Sequence, residues 1–484
     1  MSEQKPIKGY ECKHIHYVSA KDDSKDDLLC IKQNIHYKDG TIEPTVRFVE
    51  NYKRDFWITK PGFRTYNEKL EWEEESHLQK FSCTQRNLVR SVAKALGNPG
   101  FQGGMRTLAR NPFVYGTDVS TPVLAKRAYM NRFPDCTSHN SVAVLDIETD
   151  VVLGHELPIS IALTFKEKCF LTYTEEFIGG IQNPEEKIRK KFTQHLGEYE
   201  KLRNVNLEIV EAKTPGEMIV ETLKRAHEWM PDFIAIWNIN FDLPKILNAL
   251  KLEGIEPEDV FCHPSLPPKY RHFRYIEGPA NKLTASGKYM TLAPADRWHV
   301  VDCPASFYFI DAMCVYKKIR TAKGNLPSYS LDYVLNKEVD LSKLRFKEAD
   351  NYSGIELHKF MQTQYKIEYL IYNVFDCMSM EILDEKTKDL AVTISVLCEH
   401  SEYSKFPSQP RRTCDDLHFF CQLHGLIIGS TSDEMVVDKD DLVISPKNII
   451  ITLATHLVDN NGLKVFEDLP DLRSYIRAHA VDLD

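Results

Sequence analysis

Three short clusters carry side chains whose types and spacing could do chemistry. The sharpest is Val142-Ala-Val-Leu-Asp-Ile-Glu-Thr-Asp150. An apolar run delivers Asp146 and Glu148, and because the period of a strand is two, both project from one face. Carboxylates held that close repel each other unless a divalent cation lies between them; the plainer alternative is a pair of acids facing solvent at a strand end. The second cluster is Ile234-Ala-Ile-Trp-Asn-Ile-Asn-Phe-Asp-Leu-Pro244. Here an apolar run enters a turn and Asp242 stands just before a helix, where an ordinary N-cap would also sit. The third is Tyr372-Asn-Val-Phe-Asp376. Its tyrosine and aspartate are four residues apart and so share a helix face, as a simple hydrogen-bonded pair also would. Of the nearby acids, Asp150 reads as a loop residue and Asp311 as structural.

The elements that must position these groups follow from hydrophobic periodicity. Residues 142–145 read as a buried strand, with 157–165 and 168–173 as the next two strands of a meander. Residues 214–230 read as a helix and 233–237 as a buried strand. A second helix is expected from Pro244, proline being a normal first helical residue. Residues 365–399 form a strongly helical stretch. Strands alternating with helices argue an α/β domain. Upstream, 28–35 and 45–49 are strand-like, and 84–96 reads as a helix from its three- and four-residue apolar steps. The Pro-, Gly- and Lys-rich stretch 263–300 is expected to be a long surface excursion.

Taken together, the three clusters resemble the exonuclease motifs of the DnaQ-like superfamily, in the subgroup with a tyrosine in the third motif (DEDDy). Trp237-Asn-Ile-Asn-Phe-Asp-Leu-Pro244 is similar to the second exonuclease motif of B-family DNA polymerases. Ile310-Asp-Ala-Met-Cys-Val-Tyr-Lys-Lys318, Asn325-Leu-Pro-Ser-Tyr-Ser-Leu331 and Tyr372-Asn-Val-Phe-Asp-Cys-Met-Ser-Met380 resemble segments of replicative polymerases from T-even-type tailed phages. Two departures stand out. Asn238 and Phe241 have two residues between them where the B family usually has three, and the Tyr-x-Gly-Gly/Ala linker motif is absent from its usual place between Leu426 and Val443.

The resemblance implies a proofreading 3′→5′ exonuclease working in DNA replication, which hydrolyses the terminal phosphodiester and releases dNMP. It implies a ribonuclease-H-like domain at 141–390, a mixed sheet flanked by helices. An α+β N-terminal domain would span 1–140, completed by part of 391–450, with the start of a palm at 451–484. It implies two divalent metal ions, Mg²⁺ or Mn²⁺, about 3.5–4 Å apart. Asp146 would bridge them, Glu148 and Asp376 would complete the tighter site, and Asp242 would hold the second metal partly through water. One metal would activate a water and the other stabilise the leaving 3′ oxygen, with Tyr372 orienting the water. Arg473-Ser-Tyr-Ile-Arg-Ala-His-Ala-Val-Asp-Leu-Asp484 looks like the strand entering the first palm motif, which makes Asp482 or Asp484 a partial palm ligand. The fingers motif and the Asp-Thr-Asp palm motif are missing, so the expectation is a truncated chain or the first subunit of a split polymerase, with no synthesis by itself. The implied partners are primer-template DNA with a single-stranded 3′ end, a second polypeptide or C-terminal part carrying palm, fingers and thumb, and a sliding clamp.

Bulk properties neither demand nor exclude this. At 484 residues two or three domains are expected, and the net charge of −9 does not advertise nucleic-acid binding, which depends on local basic surface. Basic residues interleaved with aromatics suit single-stranded DNA: Lys126, Arg127 and Arg132 among Tyr129, Phe133 and Pro134, and Lys269, Arg271, His272, Arg274, Lys282 and Lys288 among Tyr270, Phe273, Tyr275 and Tyr289. A solvated loop would look the same. Asn238 and Phe241 of the second motif, and Arg411 with Arg412 after a Pro-rich turn, are further DNA-contact candidates. Cys414, Cys421 and His424 have faintly zinc-like spacing without a fourth ligand. The 12 scattered cysteines suit a reducing compartment, and no apolar stretch is long enough for a membrane span, so a cytoplasmic protein is expected, in the host cytoplasm if phage-encoded. Two other readings stay open: a stand-alone DEDDy exonuclease acting on RNA or DNA, and a non-catalytic nucleic-acid-binding subunit.

Overall fold

The computed structural model describes residues 5–284 and 287–433, together with the backbone of Val458–Asp459 and Gly462–Leu463. The centre is a six-stranded mixed sheet. Its strands are β1 (Val142–Thr149), β2 (Pro158–Phe165), β3 (Lys168–Thr174), β4 (Asn206–Ala212), β5 (Phe233–Ile236) and β6 (Tyr308–Asp311). They lie in the order β4-β3-β2-β1-β5-β6. The β1–β2 and β2–β3 pairs are antiparallel, while β3–β4, β1–β5 and β5–β6 are parallel. The expected meander is β1-β2-β3, and its near-continuous apolar character follows from burial on both faces.

Strand alternation sorts β1 between two cores. Ala143, Leu145 and Ile147 pack with Ile234, Ile236 and Phe309 on one face, beneath helices α1 (Pro215–Trp229) and α2 (Ile239–Leu252). Val144 packs on the other face with residues of α5 (Lys366–Thr387). Asp146 and Glu148 share the parity of Val144, so both carboxylates are directed toward α5. That helix is preceded by α3 (Ala312–Ile319) and α4 (Gly354–Gln364).

Helix boundaries show which local signals were overridden. α1 begins where expected, with the Thr214 hydroxyl accepting the Glu217 N–H at 3.2 Å. α2 begins at Ile239, five residues before Pro244, so proline lies inside the helix. The cause is distant in sequence: the Asp311 carboxylate accepts the Ile239 N–H at 3.2 Å and starts the helix early. Asp242 is therefore one turn into the helix and does not cap it. The other oxygen of Asp311 accepts the Cys314 N–H at 2.9 Å, so one buried carboxylate caps both α2 and α3. Asp311→Ala should cost about 2–4 kcal/mol, two caps lost with donors left buried. Urea unfolding would measure it, and a loss below about 0.5 kcal/mol would show that the caps are redundant.

The helix expected over 84–96 is shorter, Leu88–Ala95, because Thr84 ends a strand (Leu78–Thr84) that pairs with Lys53–Thr59. The excursion at 263–300 is ordered by two small antiparallel pairings, Arg274–Ile276 with Val300–Asp302 and Asn281–Leu283 with Tyr289–Thr291. At the N-terminus, Ile7–Ser19, Asp27–Tyr37 and Ile42–Glu50 form an antiparallel sheet. Its Val18, Leu28 and Cys30 join the same core as Ile234 and Phe309, and the described residues up to 433 fall in one compact unit. The chain returns to this region late. Helix Gln409–Leu423 brings Phe419 against Val119 and Val123, and Leu426–Ile428 pairs with Trp72–Glu74. The remainder, Val437–Asp484, is a separate unit described only by the antiparallel pairing of Val458–Asp459 with Gly462–Leu463. The expected palm start, with Asp482 and Asp484, and residues 434–450 otherwise lie outside the described residues. No helix among the described residues is long and apolar enough to cross a membrane.

Candidate active site

On α5, Tyr369, Tyr372, Asn373 and Asp376 recur at helical spacing and form one buried stripe facing β1. The stripe meets the two strand acids directly. Asn373 Nδ2 donates to Asp146 Oδ2 at 2.7 Å, and its Oδ1 accepts from Ser160 Oγ on β2 at 3.1 Å. Tyr369 donates its hydroxyl proton to Glu148 Oε2. From α4, His358 Nδ1 lies 2.7 Å from the Tyr369 hydroxyl, and Gln362 Nε2 donates to the Thr149 carbonyl at 2.8 Å, fixing the end of β1. The Tyr369 and Tyr372 rings stack in nearly parallel planes, 4° apart.

Asp146, Glu148 and Asp376 each offer an oxygen within 4.8 Å of the others. Asp242 is buried and feels the charge of Asp146, but it does not join that group of three. Burial, then the neighbouring Asp376 and Glu148, pushes the Asp146 carboxyl well above its ordinary range. Burial pushes Glu148 up to about 8, against the opposing hydrogen bond from Tyr369. Burial, then Asp146 and Asp311, raises Asp242 as well. Among the described residues, one cation answers these acids. The Lys343 ammonium pairs with Asp376 and donates to the Tyr372 hydroxyl at 3.1 Å. Burial opposes its charge, yet Asp376, Tyr372 and Asp146 hold it well above its ordinary value.

A single ammonium cannot compensate four carboxylates, Asp146 half-buried and the other three buried, and the second oxygen of Asp376 is buried with no hydrogen-bond partner among the described residues. An all-oxygen donor set with an unsatisfied buried atom fits a hard divalent cation. Asp146, Glu148 and Asp376 are the residues that could hold it, with Asp242 beside them.

The other candidates separate into bound and free. Phe241, 51% exposed, stands next to buried Asp242 and offers a ring face to solvent. Asn238 is half-buried at the start of α2. Several of the basic candidates are held by the protein itself. Lys269 pairs with Asp26 at 3.2 Å, Arg271 pairs with Asp259, Arg411 pairs with Asp415 at 3.0 Å, and Arg412 donates to the Leu397 carbonyl. Arg274 is exposed, with Asp302 at 3.5 Å. Asp150 orders its loop by accepting the N–H groups of Val152 and Leu153 at 3.0 Å and of His155 at 3.1 Å. No group able to hold a metal among the described residues includes Cys414, Cys421 or His424, and all 12 cysteines are free.

Sequence reasoning missed Lys343, His358, Tyr369 and Asn373. The last two were within reach, since they complete the face already marked by Tyr372 and Asp376. Lys343 and His358 come from a stretch with no local signature. Comparison with protein-family models finds no match, and no curated protein matches the chain significantly.

Proposed function

We propose that this chain is a metal-dependent 3′→5′ exonuclease acting on DNA, the proofreading part of a B-family polymerase. The observation that carries the reading is the convergence of Asp146, Glu148 and Asp376 with Tyr372, from a strand and a helix more than two hundred residues apart. The sheet supports it. Strands β3-β2-β1-β5-β6, with β2 alone reversed, follow the order and direction of a ribonuclease-H-like core.

In this reading the 3′-terminal phosphodiester lies over the three carboxylates. Water attacks phosphorus, the bond to the 3′ oxygen breaks, and a 5′-mononucleotide leaves with a new 3′ hydroxyl behind it. Magnesium or manganese ions, when bound, supply Lewis-acid stabilisation of the phosphoryl oxygens and a more acidic water. The chain's own residues prepare the geometry. Asn373 and Tyr369 hold Asp146 and Glu148 in fixed rotamers, as supporting groups do around metal ligands. The Tyr372 hydroxyl, steadied by Lys343, orients the attacking water, with Glu148 on its other side. The Lys343 ammonium places positive charge where the phosphoryl group gains negative charge. Phe241 supplies a stacking face for an unpaired base.

The test is hydrolysis by the purified chain with Mg²⁺ on 5′-labelled single-stranded DNA and RNA. Stepwise loss of dNMP from the DNA 3′ end is expected. Activity confined to RNA would favour a stand-alone ribonuclease, and inactivity on both would leave a binding subunit. Tyr372→Phe should slow hydrolysis about fivefold, the worth of one orienting hydrogen bond of ~1 kcal/mol. A loss as large as that from removing the acids would show that the hydroxyl does more than orient.

A further inference from the structure

A second cavity, of about 390 Å³, lies away from these acids, between the N-terminal sheet, helix Thr121–Arg132, strand Val300–Asp302 and residues 400–405. Its wall holds three buried polar side chains, two of them with buried polar atoms that have no hydrogen-bond partner among the described residues. His14 is 5% exposed, and neither ring nitrogen has a hydrogen bond. Tyr308 is 6% exposed, and its hydroxyl has none. Lys126 is 9% exposed and forms no ion pair among the described residues; its ammonium rests over the Tyr403 ring, 5.0 Å from the centroid. Such groups are costly to bury unsatisfied, the charge most of all.

The acids in the wall are already engaged. Asp302 faces His16, His272 and Arg274, each at 3.5 Å, and Glu402 accepts the Ser120 hydroxyl at 2.8 Å. Lys13 is likewise used, by Glu11 at 2.7 Å. What remains is the Lys126 ammonium without an ion pair among the described residues, a phenol and an imidazole without hydrogen bonds, and the exposed cations Arg274 and Lys405 in the lining. That combination of donors lacks an oxyanion. The volume exceeds what a bare phosphate needs and lies in the range of small-molecule sites.

We propose that this cavity binds a phosphate monoester, with the phosphate on Lys126, Tyr308 and His14 and the ester group filling the rest. Two sources share this chemistry: inorganic phosphate, which would occupy only the donor end, and a nucleoside 5′-monophosphate, which would also use the aromatic walls.

The experiment is calorimetric titration of the full chain, in excess chelator so that the acidic site holds no metal, with inorganic phosphate and separately with dAMP. Saturable binding of dAMP is expected, with phosphate binding more weakly at the same site and competing for it. Lys126→Met, close in shape, should weaken both at least about tenfold, the worth of a charged hydrogen bond. Tyr308→Phe removes one oxygen without emptying the core and should weaken binding several-fold, which keeps the test open if Lys126→Met does not fold. Asp146→Ala with Glu148→Ala should leave binding unchanged. Phosphate binding without dAMP binding would overturn the assignment to an ester. So would no binding of either, binding kept in both Lys126→Met and Tyr308→Phe, or binding lost with the acidic pair. None of these outcomes depends on nuclease activity.

Discussion

Asp146→Ala combined with Glu148→Ala should reduce 3′→5′ hydrolysis by at least about two to three orders of magnitude, the scale seen when a preorganised electrostatic stabiliser is removed. Affinity for single-stranded DNA should change little, because backbone charge and base stacking carry it and neither uses these acids. The loss follows from the geometry: two of the three oxygens that approach within 4.8 Å of one another disappear, and Asp376 is left paired only with Lys343. The fold should survive, since removing mutually repelling buried acids relieves a strain. Single-turnover hydrolysis beside a filter-binding titration would check both halves. Residual hydrolysis within about tenfold of the parent would place the chemistry elsewhere.

Stability in chelator should fall as pH rises, and Mg²⁺ should reverse the fall. Burial first, and like charges second, hold Asp146 and Asp242 well above their ordinary range, and burial takes Glu148 from 4.5 to about 8. The folded protein therefore binds these protons more tightly than the unfolded chain does. From about pH 4.5 to about 8 the unfolded state holds fewer protons, so unfolding becomes easier with each increment of pH. The contribution is fully present below the unfolded value and is lost as pH passes the folded one, on the order of a few kcal/mol over the window. Divalent cations bind the deprotonated form, so the rise in melting temperature on adding Mg²⁺ should be small near pH 5 and largest near pH 8. Asp146→Asn with Glu148→Gln should flatten both trends. A melting temperature in chelator that is indifferent to pH, or an Mg²⁺ effect that persists in the double variant, would contradict the assignment.

What could be read in advance, and what could not, divides by sequence distance. The β1 acids and the Tyr372–Asp376 face were legible because strand and helix periods fix them locally. The start of α2 was not: Pro244 is a sound local signal, but Asp311, 72 residues downstream of Ile239, outvotes it. Lys343 escaped for the same reason, its partner being Asp376, 33 residues further on. The intramolecular partners of the basic residues near aromatics were hidden in the same way. Lys269 is answered by Asp26, 243 positions away, and Arg411 donates to the Asp118 carbonyl from 293 positions away. No spacing rule shows these long-range pairings, although the Arg411–Asp415 pair four residues apart is one that helical spacing does show.

The double cap at Asp311 also bears on how the molecule is made. Helix α2 carries Asp242, yet its first turn is secured by a carboxylate synthesised later, and β1 meets its opposing helix later still. At ordinary rates of synthesis, Asp376 follows Asp146 by roughly ten to fifty seconds. During that interval the two strand acids have neither the asparagine nor the tyrosine that will fix them. On the proposed reading, activity cannot switch on piecemeal: a ribosome that stalls anywhere before the helix Lys366–Thr387 releases a chain unable to cut.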